Sequence, residues 1–220
     1  IRDRIAAKER AGFVDADPEV PGRRRVQFVD TGREDLRPTT RWGGRPNGRG
    51  EWPACYCGSP LSFVFQLCES ELPLFGNGAL QYFACMANNC EIYEPNGAGS
   101  AVVLSREPLS GQIWEPPEGT PLLGERVMTL TESPEPPLPS DVLPYEPYFS
   151  DWFSAAYGDK IYGIQATGND SKAVLCSACN RWQLFLAQFS KGPMNGYEDW
   201  FHTVAKLCPN GCSASVQGVR

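Results

Sequence analysis

Nine cysteines, at 55, 57, 68, 85, 90, 176, 179, 208 and 212, are the residues whose type and spacing carry chemistry in this chain. Eight of them form close pairs, 55/57, 85/90, 176/179 and 208/212. Within each half the second pair begins 28 or 29 residues after the last thiol of the first pair. A tetrahedral zinc site needs this spacing, because each pair supplies two thiolates from one tight turn and the intervening chain brings the second turn alongside. Two zinc ions are therefore expected, one on Cys55, Cys57, Cys85 and Cys90, the other on Cys176, Cys179, Cys208 and Cys212. A disulfide framework is the first alternative, although nine thiols leave one unpaired. Dithiol redox chemistry through CSAC is the second, although no thioredoxin-like strand-motif-helix context follows it. Cys68, at the end of FVFQLC, reads as a small core residue.

Catalytic constellations are not expected. His202 is the one histidine of the chain. A Ser/His/Asp triad would have to use it, and no G-x-S-x-G elbow accompanies it. FGNGAL lacks the lysine and the helix of a phosphate loop. Sets of four thiolates are closed structural sites, whereas a catalytic zinc keeps a position open.

The elements that must position the thiols read as β structure. LSFVFQL, QLFLAQF and ALQYFAC have the length and the aromatic and aliphatic density of buried strands, and VVL at 102–104 and VMTLT at 127–131 read as shorter ones. The chain also repeats itself. With Cys57 set on Cys179, Phe63 falls on Phe185, Val64 on Leu186, Gln66 on Gln188 and Leu67 on Phe189, and WGGRPN at 42–47 has a degraded counterpart in YGIQAT at 162–167. This register across 122 residues marks an internal duplication. The repeated glutamine either satisfies backbone groups at a bulge or sheet edge or makes a polar contact in a groove. The expected fold is mainly β, with α+β as the variant. It comprises two tandem related lobes, each with a zinc-ribbon-like cysteine cluster: a basic arm over 1–39, a first repeat over 40–105, a Pro/Glu-rich connector over 106–154 and a second repeat over 155–220.

Composition fits a globular protein: 41% of residues are hydrophobic, and 20 Pro with 22 Gly favour short strands over long helices. No run of 18 apolar residues spans a membrane. IRDRIAAKERAG is too charged for a signal-peptide core, so the cytoplasm is the expected compartment, or an organellar matrix where a targeting segment has been removed. Charge is uneven. Residues 1–50 hold 12 Lys/Arg against 8 Asp/Glu, residues 51–220 hold 8 against 18, and residues 51–100 contain no Lys or Arg. Such a surface either keeps the chain soluble or attracts basic protein segments and repels nucleic acid, leaving only the arm, with RRR at 23–25, to touch phosphate. YEPYFSDWF at 145–153 places Tyr148, Phe149, Trp152 and Phe153 as partner-binding anchors, with core packing as the simpler role.

WGGRPN, WPACYCGSPLSFVFQL, GNGALQYFAC and YEPNG together resemble the duplicated β domain of the YwqG-like and programmed-cell-death-two-like proteins. The resemblance covers residues 40–105 closely and 155–212 more loosely. It implies a two-lobed β architecture with zinc held by cysteine pairs, and, from the eukaryotic members, a chaperone for a nascent ribosomal protein. Where the family has Cys-x-x-Cys, this chain has Cys55-Tyr56-Cys57, and in the second copy Asn180-Arg181-Trp182-Gln183 stands in place of Gly-x-Pro-Leu. The expected function is a non-catalytic, zinc-stabilised protein-binding module, chaperone-like towards a basic protein. The alternatives are an accessory subunit of a large, organellar complex and a zinc-ribbon RNA-binding protein.

Overall fold

The structure, a computed structural model, describes residues 24–29, 39–71, 74, 76–86, 90, 97–133, 159–162, 174–189 and 202–219. Every regular element among them is a β-strand: β1 (Arg24–Val29), β2 (Arg41–Trp42), β3 (Ser62–Cys68), β4 (Ala79–Ala84), β5 (Ser100–Ser105), β6 (Arg126–Glu132), β7 (Lys160–Ile161), β8 (Leu184–Phe189), β9 (His202–Leu207) and β10 (Ala214–Val219). The chain divides into two units, one of Phe28–Thr129 with Pro193–Glu198, the other of Ile1–Gln27, Leu130–Gly192 and Asp199–Arg220. Each contains an antiparallel sheet.

In the first sheet β6 pairs with β2, β2 with β3, β3 with β4 and β4 with β5. LSFVFQL forms its centre because every residue of β3, and every residue of β4, is buried; residues with apolar bulk on both faces suit a strand covered on both sides. One cross-strand row runs Trp42, Phe65, Tyr82, with Trp42 and Phe65 stacked at 5.9 Å between ring centroids. A neighbouring row joins Phe63 to Phe83, which meet edge to face at 5.5 Å, and Trp52 and Trp114 complete that cluster.

The second sheet repeats the plan: β1 pairs with β7, β7 with β8, β8 with β9 and β9 with β10. Its details match residue by residue. The β3–β4 ladder slips between Phe63 and Phe65, and the β8–β9 ladder slips between Phe185 and Ala187. At the first slip Val64 O accepts from Gly43 N at 2.8 Å; at the second Leu186 O accepts from Tyr162 N at 2.7 Å. Bulges recur as built features where a strand must bend, so a shared bulge with a shared partner is a structural signature of duplication.

Those bonds also correct the register of the turn. Tyr162 corresponds to Gly43 rather than to Trp42, and Ile161 takes the place of Trp42. Both turn residues are left-handed, with φ of 63° at Gly43 and 58° at Tyr162. Glycine is required in the first copy because a Cβ on Gly43 would lie 2.2 Å from Gly124 O. The pairing of WGGRPN at 42–47 with YGIQAT at 162–167 is thus out of register by one residue.

The repeated glutamine is interior. Gln66 Oε1 accepts from Asn47 N at 3.1 Å and Gln81 Nε2 at 2.9 Å, while its Nε2 donates to Thr39 O at 2.9 Å and Asn47 Oδ1 at 3.2 Å. Arg41, in register with Gln66, donates to Asn47 Oδ1 and pairs with Glu125. Asn47 of WGGRPN thus closes a buried polar network, and a buried amide with both donors and both lone pairs engaged is a packing element. In the second sheet Lys160 and Gln188 occupy the places of Arg41 and Gln66.

Candidate metal centres

Each sheet carries a pair of cysteine turns at one end. In the first lobe the bridge between Ala54 and Pro60 closes a loop in which Cys55 N donates to Ser59 O at 2.8 Å and Gly58 N to Cys55 O at 2.9 Å. In the second, the bridge between Leu175 and Trp182 closes a loop in which Cys176 N donates to Arg181 O at 2.8 Å and Asn180 N to Cys176 O at 2.9 Å. Gly58 and Asn180 are equivalent and both left-handed, with φ of 86° and 57°. Asparagine tolerates that region better than most residues with a side chain. The first loop is one residue shorter, and the single residue removed lies between its two thiols.

The partner turns follow β4 and β9. Cys85 N donates to Gly99 O at 2.8 Å, and Cys208 N to Ser213 O at 2.9 Å, with Gly211 N closing on Cys208 O at 2.8 Å. The four sulfurs of Cys55, Cys57, Cys85 and Cys90 lie within 4.8 Å of one another, and so do those of Cys176, Cys179, Cys208 and Cys212. The Cys-x-Cys turn therefore delivers both of its thiols despite its shortness. Within these sets Cys57 and Cys85 lie 3.8 Å apart at sulfur, and Cys179 and Cys208 3.3 Å. A tetrahedron with metal–sulfur bonds of about 2.3 Å has sulfur–sulfur edges of about 3.8 Å, so the donor sets fit zinc in type, number and spacing. All nine cysteines are free thiols, and Cys68 stays apart as a buried core residue, its thiol pushed up to about 12 by burial.

The sulfurs are not equivalent. Burial pushes the thiols of Cys55 and Cys212 up to about 12 and raises those of Cys90 and Cys208. Hydrogen bonds act the other way: Ser59 draws Cys57 down to about 6, and Ser213, whose Oγ lies 3.1 Å from Cys176 Sγ, draws Cys176 down to about 6. Neither serine stands out in the sequence, although each lies one or two residues from a cysteine.

Surroundings differ more than the thiols do. Cys55, Cys85 and Cys90 pack into the cluster of Leu61, Phe63, Phe83 and Trp114. In the second lobe the places of Leu61, Phe83 and Ala101 fall to Gln183, Lys206 and Ser215. The expected anchors Tyr148, Phe149, Trp152 and Phe153 lie outside the described residues, as does the His202 side chain. Among the described residues the exposed large hydrophobics are Tyr56, Leu122, Leu175 and Trp182. Three of these sit on the cysteine turns or their bridges. No helix among the described residues is long and apolar enough to cross a membrane.

Fold and sites define a class, the duplicated antiparallel β protein with a four-cysteine centre in each copy. No protein-family model matches the chain, and no curated protein matches it.

Proposed function

We propose that the chain is a non-catalytic protein-binding module held in shape by two zinc ions, and that it takes a basic, extended segment of a client protein. Two sets of four thiols, each closed on itself, carry this assignment. A four-thiolate centre leaves no position for substrate or activated water, so zinc there would supply folding energy and a rigid turn. Cys55, Cys57, Cys85 and Cys90 would hold one ion, and Cys176, Cys179, Cys208 and Cys212 the other.

Charge supports the choice of client. Glu51, Glu69, Glu107, Glu115 and Glu118 are exposed on the first lobe, and residues 51–100 contain no Lys or Arg. Trp182 and Leu175, paired across their bridge and both exposed, offer apolar anchorage beside the second centre. The likeness to the YwqG-like and programmed-cell-death-two-like proteins belongs to the same proposal, with a transient chaperone contact and a permanent subunit contact as its two forms.

The test uses three labelled probes of equal length: a Lys/Arg-rich peptide, its acidic counterpart and a single-stranded RNA. Binding of the basic peptide alone is expected, weakening as salt rises from about 0.1 M to about 1 M, where the screening length falls from about 10 Å to about 3 Å. Binding of RNA alone, or of no probe at either salt, overturns the assignment. A turnover activity lost on His202→Ala would overturn its non-catalytic part.

A further inference from the structure

Three hydrogen bonds in the second lobe form a directed chain that ends on a sulfur. Ser215 Oγ donates to Gln183 Oε1 at 2.6 Å, Gln183 Nε2 donates to Ser213 Oγ at 2.9 Å, and Ser213 Oγ donates to Cys176 Sγ at 3.1 Å. An amide nitrogen only donates, so Ser213 Oγ accepts from Gln183 and its single proton is left for the sulfur. Ser215 Oγ lies at the oxygen end of the amide, which leaves the nitrogen end to Ser213.

The chain's two middle members are held by their backbones as well: Gln183 N donates to Val174 O at 2.9 Å, and Ser213 O accepts from Cys208 N at 2.9 Å. Gln183 and Ser215 are 4% and 2% exposed, which keeps water from competing for the amide.

The first lobe has no counterpart to this chain. Leu61, Gly99 and Ala101 stand where Gln183, Ser213 and Ser215 stand in the second, and none of the three has a polar side chain. The hydroxyl of Ser59 serves Cys57 from inside the turn itself, next to an exposed sulfur.

We infer that Ser213, oriented by Gln183 and Ser215, is a positioning residue for the metal at the second centre: it fixes the Cys176 thiolate and slows its exchange, whereas Ser59 at the first centre has no such chain behind it. This rests on the two thiol sets being metal centres. A hydrogen bond donated to a ligating sulfur delocalises its charge and locks its rotamer, and partners of this kind typically contribute about 10- to 100-fold to metal affinity.

Metal release to a chromogenic chelator, followed on the full chain loaded with two zinc ions, tests the inference. Wild type should release in two phases. Ser213→Ala should accelerate one phase by about 10- to 100-fold and leave the other unchanged, Gln183→Leu should accelerate the same phase less, and Ser213→Thr, which keeps the hydroxyl, should restore it. With cobalt in place of zinc, Ser213→Ala should also shift the thiolate-to-metal charge-transfer band, a change that loosened packing alone would not produce. Release and band both unchanged in a folded Ser213→Ala protein, checked by far-UV circular dichroism, would show that the serine donates to the amide instead and would overturn the inference. Should Ser213→Ala not fold, Gln183→Leu decides alone, since unchanged release there overturns it equally. A wild-type protein that takes up no metal at all would instead remove the metal-centre assignment beneath it.

Discussion

Removing the metal should affect the two lobes unequally, and the structure sets the size of the difference. In the first lobe the cysteine turns rest on Leu61, Phe63, Phe83 and Trp114, and burial keeps the metal-free Cys55 and Cys90 thiols protonated at neutral pH, so they can remain packed as small hydrophobes. In the second lobe Gln183 and Lys206 replace Leu61 and Phe83, and among the described residues the matching apolar cluster is Phe185 with Val204. Leu61 and Phe83 are fully buried; at about 1.5–3 kcal/mol each, they give the first lobe about 3–6 kcal/mol that the second does not have. Zinc in a four-thiolate module contributes about 10–16 kcal/mol, comparable with the whole stability of a domain. Chelation under reducing conditions, read by hydrogen exchange, is the assay. The amides of Cys176, Gln183 and Cys208 should lose protection about 10²- to 10⁴-fold more than those of Cys55, Leu61 and Cys85, the ratio that this energy difference sets. Equal loss in both lobes, or better survival of the second, would refute the packing argument; no loss in either would show that the centres are dispensable to the fold.

Metal analysis of protein purified without chelator should return close to two zinc ions per chain, and a value near one would locate a failure at the Cys-x-Cys centre. Cys85→Ser or Cys208→Ser should remove one ion, whereas Cys68→Ser should leave both. Apparent affinity should rise with pH: the raised thiols of Cys55, Cys90, Cys208 and Cys212 hold protons at neutral pH that the metal must displace. Below about 6 the dependence should steepen by one proton per centre as Cys57 and Cys176 protonate too, and a competition titration between pH 5 and 8 that shows no steepening contradicts those two positions. Gly43→Ala combines a left-handed φ of 63° with a Cβ 2.2 Å from Gly124 O; it should cost more than about 2 kcal/mol in urea unfolding, and a loss under 1 kcal/mol would contradict the turn.

How much of this was legible in the sequence depends on what each element hides. Both four-cysteine sets could be read from spacing alone, because tetrahedral thiolate coordination constrains separation along the chain more tightly than it constrains the intervening residues. β3, β4 and β8 were legible because strands covered on both faces are apolar at nearly every position. β9 and β10 escaped: Thr203, Lys206, Ser215 and Gln217 are buried in them, and buried polar residues erase the periodicity on which such a reading depends. β2 and β7 have two residues each, too short for any period. β1 lies within the stretch read as a basic arm, yet it pairs with β7. The relay to Cys176 was not legible either, since its members come from three separate turns and strands.

The two copies share bulge, turn and thiol positions but not the material around the thiols. Duplicated lobes that needed only a zinc-clamped turn could keep the apolar floor of the first copy, where Leu61, Phe83 and Ala101 cover the sulfurs. The second copy carries Gln183, Lys206 and Ser215 in those places, which leaves less apolar packing under its cysteine turns. Two of those three exchanges build the hydrogen-bond chain to Cys176, so the lobe with less apolar support is the one whose thiolate is held from behind. Lys206, the third, is buried in register with Phe185 and Ser215, and burial draws its ammonium down to about 8. Apolar packing in the first lobe and hydrogen bonding in the second are thus two solutions to one requirement, the fixing of four sulfurs at the end of a short-stranded sheet.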